Sequence, residues 1–172
     1  MIIGEEEIPN ERALLTQEDG PMMASSASVK YIVIHCSATR STRDYTAEQL
    51  LRDHKTRGFR TVGYHFYIRK NGDIKTTREI ERIGAHAKGH NQNSIGICYE
   101  GGLDCHGHPA DTRTEWQVHS MHVLILTLLR DYPGCRVCGH RDLSPDLNGN
   151  GEIEPEEWIK ACPCFEVKKE WN

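Results

Sequence analysis

Three residues with metal-binding side chains lie far apart in this chain, in segments of different character. A hydrophobic, β-rich run leads into His35, a second histidine is His140, and Cys162 lies close to the C-terminus. Two imidazoles and one thiolate form a ligand set that suits zinc. Three protein ligands leave a fourth position for water, as in catalytic rather than structural zinc sites. The set therefore indicates a hydrolytic zinc centre, with Lys160 beside it.

The size and the charge of the chain limit its class. A length of 172 residues fits one domain with a substantial core. The formal net charge of −4 gives no electrostatic footprint for nucleic acid or anionic lipid. No apolar run approaches the roughly 18 residues that span a bilayer. We therefore expect a soluble monomer that neither binds nucleic acid nor inserts into a membrane.

The N-terminus and the cysteines bear on where the protein folds. The acidic N-terminus lacks the basic region and apolar core of a secretory signal, so we expect synthesis in the cytoplasm. Seven cysteines cannot all pair internally, and without a signal peptide metal ligation or free thiols are favoured over disulfides. Cys135 and Cys138 form a C-x-x-C pair with no second pair at zinc-ribbon spacing, which favours buried thiols.

The hydrophobic pattern predicts one domain over 29–172, preceded by an acidic, flexible tail over 1–28. Thr46 and Thr114 begin capping-box sequences that open two helices. Asn71-Gly72 is predicted as a two-residue hairpin turn. Strands are predicted at 30–35, 64–69, 73–77, 94–99 and 135–139. Mixed strands and helices favour an α/β fold, a single mixed β-sheet flanked by helices.

Eight short stretches between about residues 30 and 167 carry a resemblance to one family. They are Ile34-His-Cys-Ser-Ala-Thr39, Gly63-Tyr-His-Phe66, Arg69-Lys-Asn-Gly72, Gly84-Ala-His-Ala-Lys-Gly-His-Asn91, Asn93-Ser-Ile-Gly96, Gly101-Gly102, Gly139-His140 and Lys160-Ala-Cys-Pro163. In their order they resemble the type 2 N-acetylmuramoyl-L-alanine amidases. This family includes amidase-type phage lysozymes and the peptidoglycan recognition proteins, and its fold is expected here.

The resemblance implies a substrate, a reaction and a set of roles. The substrate is bacterial peptidoglycan, cut at the amide between N-acetylmuramic acid and L-alanine. The implied zinc ligands are His35, His140 and Cys162, and the implied catalytic residues are Tyr64 and Lys160. Zinc lowers the pKa of bound water from about 15.7 towards about 7. The lysine ammonium and the tyrosine hydroxyl can stabilise the oxyanion that develops.

Several assignments keep an alternative. In the family the loop over 84–91 borders the substrate groove, so His86, Asn91 and Asn93 are candidate substrate-binding residues. A structural hydrogen-bonding role is an equal alternative for His86, and the two asparagines have the alternative of holding the loop. Cys164 is an alternative zinc ligand, although the resemblance places Cys162 first.

Nineteen residues, 141–159, separate His140 from Lys160, where the small phage enzymes have only a handful. Within this insertion, residues 146–157 fit the calcium-loop pattern D-x-[DN]-x-[DN]-G-x5-E. The predicted Ca²⁺ ligands are Asp146, Asn148, Asn150, the carbonyl of Glu152, Glu154 and Glu157. An acidic surface turn is the alternative. If calcium binds, we expect it to hold the loop that leads to Lys160 and Cys162.

The resemblance implies a phage or prophage endolysin, or a bacterial cell-wall enzyme, that reaches the wall after release or export. A non-catalytic module that only binds peptidoglycan is the alternative. Such relatives typically lack the cysteine ligand, so the presence of Cys162 with Tyr64 and Lys160 favours the enzyme. A regulatory protein partner is a third hypothesis, which no residue supports or excludes.

Overall fold

The computed structural model describes residues 20–171. Its strands are β1 (Tyr31–Cys36), β2 (Thr39–Arg40), β3 (Phe66–Ile68), β4 (Ile74–Thr76), β5 (Ser94–Tyr99), β6 (Gly102–Leu103) and β7 (Arg136–Gly139). Its α-helices are α1 (Ala47–Thr56), α2 (Glu115–Asp131) and α3 (Lys168–Trp171). Five strands form one sheet in the order β4-β3-β5-β1-β7, and β2 pairs with β6. Only β4 runs antiparallel to its neighbour in the large sheet, which confirms the predicted mixed α/β fold.

The two faces of the sheet are buried by different helices. Because side chains alternate along a strand, Ile32 and Ile34 of β1 point to one face and Val33 and His35 to the other. The first face packs against α2 in a cluster that includes Ile68, Ile95, Ile97, Met121 and Ile125. The second face packs against α1 through Ala47, Leu50, Val62, Tyr67 and Cys98. His35 therefore reaches the side of the sheet that α1 covers.

Both predicted helix starts are confirmed by reciprocal side-chain bonds. Thr46 Oγ1 accepts from the Gln49 N–H at 3.2 Å, and Gln49 Oε1 accepts from the Thr46 N–H at 2.8 Å. Thr114 and Gln117 make the same pair of bonds at 3.1 and 3.0 Å. Each pair satisfies two backbone N–H groups that have no backbone partner at the start of a helix.

The hairpin between β3 and β4 differs from the prediction. Arg69 N–H donates to Asp73 O at 2.9 Å, so three residues, 70–72, lie in the loop instead of two. Gly72 has φ of +90°, and its N–H donates to Arg69 O. A three-residue loop of this kind needs a left-handed residue at its last position, and glycine adopts that conformation without strain.

Backbone hydrogen bonds join part of the segment predicted as a tail to residues 81–83. Ile83 N–H donates to Pro21 O at 2.9 Å, and Met23 N–H donates to Glu81 O at 2.7 Å. Pro21 and Met23 are thus hydrogen-bonded to the rest of the fold, and residues 1–19 of the predicted tail lie outside the described residues. No helix within 20–171 is long and apolar enough to cross a membrane. All seven cysteines are free, including Cys135 and Cys138.

Candidate metal centre and active site

The topology brings two of the three predicted ligands together. β1 and β7 are parallel neighbours, and Ile34 lies opposite Gly139 in their register. His35 and His140 each come one residue later, at the same edge of the sheet, and their ring centroids are 4.6 Å apart. Parallel pairing of two strands that end at the same level is therefore what joins histidines more than a hundred residues apart.

Cys162 comes to this edge from the C-terminal segment. Its Sγ lies 3.7 Å from His35 Nδ1. Ligand atoms of His35, His140 and Cys162 all lie within 4.8 Å of one another. Within the described part of the chain this is the only such group of three or more histidine, cysteine or acidic side chains. The three predicted ligands thus form one cluster.

Backbone and side-chain bonds hold the cysteine in place. Cys162 O accepts from the Arg141 N–H at 2.9 Å, directly after His140. The next carbonyl, Pro163 O, accepts from the Tyr99 hydroxyl at 2.6 Å. Cys36 N–H donates to Cys162 Sγ at 3.3 Å. An N–H group that points at a cysteine sulfur stabilises negative charge on it, and this thiolate form is the one that binds a metal.

The surroundings of the histidines keep them neutral. Burial lowers the pKa of His35 well below its usual value, and the nearby His86, His140 and Lys160 lower it further. Burial and then Lys160 also lower the pKa of His140. A neutral imidazole offers a lone pair to a metal ion. Both histidines of the cluster therefore have the protonation state that a metal site requires.

The alternative ligand Cys164 lies in a different contact. Its Sγ is 3.9 Å from the Sγ of Cys36, and it does not belong to the group of three ligand atoms. The contact with Cys162, and then burial, raise the pKa of Cys36, while the contact with Cys36, and then burial, raise the pKa of Cys164. Two protonated thiols therefore lie behind the cluster.

Tyr64 and Lys160 border the same cavity as the cluster. This cavity has a volume of about 560 Å³ and is lined by all five residues that the sequence assigns to metal binding and catalysis. The ring centroid of Tyr64 lies 5.0 Å from that of His35. Burial raises the pKa of Tyr64, so its hydroxyl keeps its proton and can donate. Lys160 is exposed at the cavity mouth and close enough to lower the pKa of both histidines.

The three candidate substrate-binding residues separate in the structure. His86 and Asn91 line the cavity, and Asn93 is absent from its lining among the described residues. His86 is 8% exposed, and its Nδ1 lies 2.9 Å from His35 Nε2. Asn91 Oδ1 accepts from the N–H groups of His86 and Ala87, both at 2.9 Å. Contact of these residues with substrate stays a prediction.

Other cavity residues were missed by the sequence-based reasoning. His54 lies in the last turn of α1, and its Nδ1 accepts from the Gly63 N–H at 2.9 Å. Arg57 and Lys88 add two cationic side chains to the lining, which contains no carboxylate among the described residues. No local pattern distinguishes His54 and Arg57 from an ordinary helix end, whereas Lys88 lies in the loop over 84–91 that the resemblance had placed beside the substrate groove. The fold brings the end of α1 and this loop to the same cavity.

The insertion between His140 and Lys160 folds around one buried carboxylate. Glu157 Oε1 accepts from the N–H groups of Leu147 and Asn148, and its Oε2 accepts from that of Glu154. Asp146 accepts from the N–H groups of Gly149 and Gly151. The carboxylates of the loop do not form a converged metal-ligand group in the described structure. The hydrogen bonds of Glu157 with Leu147 and Asn148 nevertheless join the two ends of the segment that matches the calcium pattern.

Comparison with known proteins gives the family. The family model described as N-acetylmuramoyl-L-alanine amidase matches residues 25–157. The chain belongs to this family. The amidase is 35% identical to the endolysin of Escherichia phage T7 over 145 residues, which cover 84% of this chain and 87% of that protein. It is also 35% identical to the endolysin of Klebsiella phage KP32, over 82% of this chain and 84% of that one.

A shorter match and two solved structures complete the comparison. An uncharacterized protein of Haemophilus influenzae is 52% identical over 97 residues, which cover 56% of the amidase and 84% of that protein. The endolysin amidase LysCS of Clostridium intestinale superposes with a TM-score of 0.66 at 26% identity, over 88% and 85% of the two chains. Drosophila PGRP-LB shares the fold, with a TM-score of 0.63 at 23% identity over 89% and 82%. The predicted family, fold and enzyme class are confirmed.

Proposed function

We propose that this amidase cuts the amide bond between N-acetylmuramic acid and L-alanine in bacterial peptidoglycan, at the cavity that holds His35, His140 and Cys162. The observation that carries the proposal is the convergence of these ligands with Tyr64 and Lys160 on one cavity. Family membership supplies the reaction class. A wall-binding module would have no need of this arrangement.

The donor set fits zinc. Two neutral imidazoles and a thiolate supported by a backbone N–H match the nitrogen and sulfur ligands that zinc takes in catalytic sites. We therefore assign His35, His140 and Cys162 as the zinc ligands. When bound, zinc would act as a Lewis acid and would activate water for attack on the scissile carbonyl.

The protein's own groups then stabilise the charge that develops. Tyr64 keeps its hydroxyl proton because burial raises its pKa. That hydroxyl and the ammonium of Lys160 line the cavity. There they can donate hydrogen bonds to the oxyanion formed from the amide carbonyl. His86 and Asn91 line the same cavity beside the proposed path of the glycan or stem peptide, with Asn93 close by in sequence.

The charge of the cavity suits the substrate. Arg57, Lys88 and Lys160 are cationic, and no carboxylate belongs to the described lining. Peptidoglycan stem peptides carry free carboxylates, so the field of the cavity favours their entry. We propose that the enzyme acts as an endolysin or a related cell-wall enzyme, reaching peptidoglycan after release or export.

A second metal is proposed for the insertion. The sequence over 146–157 matches the calcium-loop pattern, and the loop closes through Glu157 three residues before Lys160. We propose that Ca²⁺ binds Asp146, Asn148, Asn150, the Glu152 carbonyl, Glu154 and Glu157. The ion would draw these oxygens together and stiffen the segment that leads to Lys160 and Cys162.

The experiment that tests the proposed activity separates cutting from binding. Purified peptidoglycan labelled with a dye is incubated with untreated, chelator-stripped and zinc-restored protein. We expect dye release by the untreated and restored samples and none by the stripped one. Protein that pellets with the wall but releases no dye in any sample would overturn the enzyme and favour the binding module.

A further inference from the structure

His86 makes a contact that the proposed reaction does not use. Its Nδ1 lies 2.9 Å from Nε2 of His35, and the two rings meet edge to face at an interplanar angle of 89°. The other nitrogen of His35, Nδ1, faces Cys162 Sγ at 3.7 Å. One nitrogen of His35 therefore points into the ligand cluster, and the other is bonded to a second histidine.

Ser94 fixes which nitrogen of His86 carries the proton, and so fixes the donors and acceptors in the hydrogen bonds that join His35, His86 and Ser94. Its Oγ lies 2.7 Å from His90 O, and a carbonyl oxygen only accepts, so the hydroxyl hydrogen is used there. The contact between Ser94 Oγ and His86 Nε2, 3.3 Å long, must then have the imidazole N–H as donor. A neutral imidazole carries one ring N–H, so His86 Nδ1 is an acceptor. His35 Nε2–H donates to it, which leaves the lone pair of His35 Nδ1 directed at the cluster.

The fold is built to hold the ring of His86 at this point. A Cβ on Gly84 would lie 2.6 Å from His86 Cδ2, and one on Gly96 would lie 2.7 Å from Cγ. Both glycines thus leave the space that the imidazole fills. Asn91 Oδ1 fixes the backbone of the loop through the N–H groups of His86 and Ala87. The position of the ring follows from packing on both sides, not from a single bond.

We propose that His86 is a positioning residue that, together with Ser94, sets the tautomer and the ring orientation of His35. The proposal rests on the assignment of His35 as a zinc ligand. Metal-binding histidines usually donate their other N–H to a partner that orients them. A neutral imidazole orients His35 without adding negative charge, so Cys162 remains the only anionic group of the ligand set. Both ring nitrogens of His86 are then occupied within the protein.

The first test reads the tautomers directly, without metal or substrate. Long-range ¹H–¹⁵N spectra of the metal-free protein at neutral pH report which ring nitrogen carries the proton. We expect both His35 and His86 to carry it on Nε2. A proton on Nδ1 of His86 would overturn the proposed direction of the hydrogen bonds from His35 through His86 to Ser94. Such a result would not contradict the proposed amidase activity.

The second test measures zinc affinity by competition with a chromogenic chelator. His86→Leu removes the acceptor, and we expect affinity to fall about 10- to 100-fold. His86→Asn places an amide oxygen near the position of Nδ1 and should recover most of the loss. Ser94→Ala removes only the hydroxyl group that fixes the tautomer of His86. We expect its zinc affinity to lie between those of the wild type and His86→Leu. This variant keeps the test decisive even if His86→Leu does not fold.

His65→Asn is the matched control. His65 is also fully buried, but its ring nitrogens bond only to the backbone, at Arg82 O and Gly96 N. Its replacement should lower stability and leave zinc affinity within a few-fold of wild type. Wild-type zinc affinity in every one of His86→Leu and Ser94→Ala that folds would overturn the proposal. If instead the wild type itself binds no zinc, the proposed function fails and the tautomer test still stands.

Discussion

At the scale of single residues, the two cysteines near the C-terminus have different tasks although one proline separates them. Cys162 lies within the ligand cluster and accepts an N–H from Cys36. Cys164 lies beside the Cys36 thiol at 3.9 Å. Sequence alone left both cysteines as candidate ligands, because a C-P-C sequence does not show which sulfur lies next to the two histidines. The folded segment distinguishes them.

Cys162→Ala should therefore lose zinc and activity together, because it removes one of the three proposed zinc ligands. We expect zinc affinity to fall by more than the roughly 100-fold typical of an outer partner, measured by metal analysis after dialysis. Cys164→Ala is the matched control and should keep both zinc and turnover. Equal loss in the two variants would mean that the cysteines share the metal.

Lys160→Ala should keep zinc and lose turnover. The side chain is exposed and lies outside the cluster of three candidate ligands, so its removal leaves the cluster intact and takes away the proposed donor for the oxyanion. Loss of one such donor costs about 100- to 1,000-fold in kcat. Lys88→Ala, which removes a different cation from the same cavity, should raise KM and change kcat little. Full turnover by Lys160→Ala would exclude the lysine from the mechanism.

At the scale of elements, the starts of both long helices were predicted correctly, whereas the length of the hairpin loop and the extent of β3 were not. The capping boxes at Thr46 and Thr114 are confirmed because each depends on residues within four positions. The strand predicted over 64–69 shortens to β3, although the His65 N–H still donates to Gly96 O of β5. The bond between His86 and His35 joins positions 51 residues apart, and no periodicity in the sequence anticipates it.

The insertion over 146–157 allows a prediction about an element as a whole. If it binds calcium, adding Ca²⁺ should raise the melting temperature of the wild type, since a ligand that binds only the folded state stabilises it. The double variant Asp146→Ala/Glu157→Ala should lose this calcium-dependent increment. Glu157 also accepts three backbone N–H groups, so this variant should melt lower without calcium as well.

The control for this prediction removes the same charge from the same loop. Glu152→Ala/Glu156→Ala spares every side chain that the calcium pattern uses, because Glu152 contributes only its carbonyl. It should keep the calcium-dependent rise in melting temperature. A wild type whose melting temperature is indifferent to calcium would identify the insertion as an acidic surface turn.

At the scale of the whole molecule, buried neutral histidines couple stability to pH. Burial lowers the pKa of His54 and of His65 from 6.5 to about 4. In the unfolded chain each has an ordinary pKa and takes up a proton first. The stability contributed by the neutral form is therefore present above pH 6.5 and is lost as pH falls towards about 4.

His54→Asn isolates one of these contributions. The amide oxygen can still accept from the Gly63 N–H, but the side chain no longer titrates. Urea unfolding of chelator-treated protein, from neutral pH down to about pH 4, should show a weaker pH dependence in the variant. The difference in slope should approach about 1.4 kcal/mol per pH unit, the value for one proton. Parallel curves would show that His54 titrates normally in the fold.

The central claim is that the cluster at the edge of the sheet cuts one particular bond. Mass spectrometry of purified peptidoglycan digested with zinc-loaded and with metal-stripped protein tests it most directly. Free stem peptides that begin with L-alanine, formed only by the zinc-loaded protein, are the predicted products. Intact muropeptides in both digests, or fragments cut between sugars or within the stem, would contradict the account.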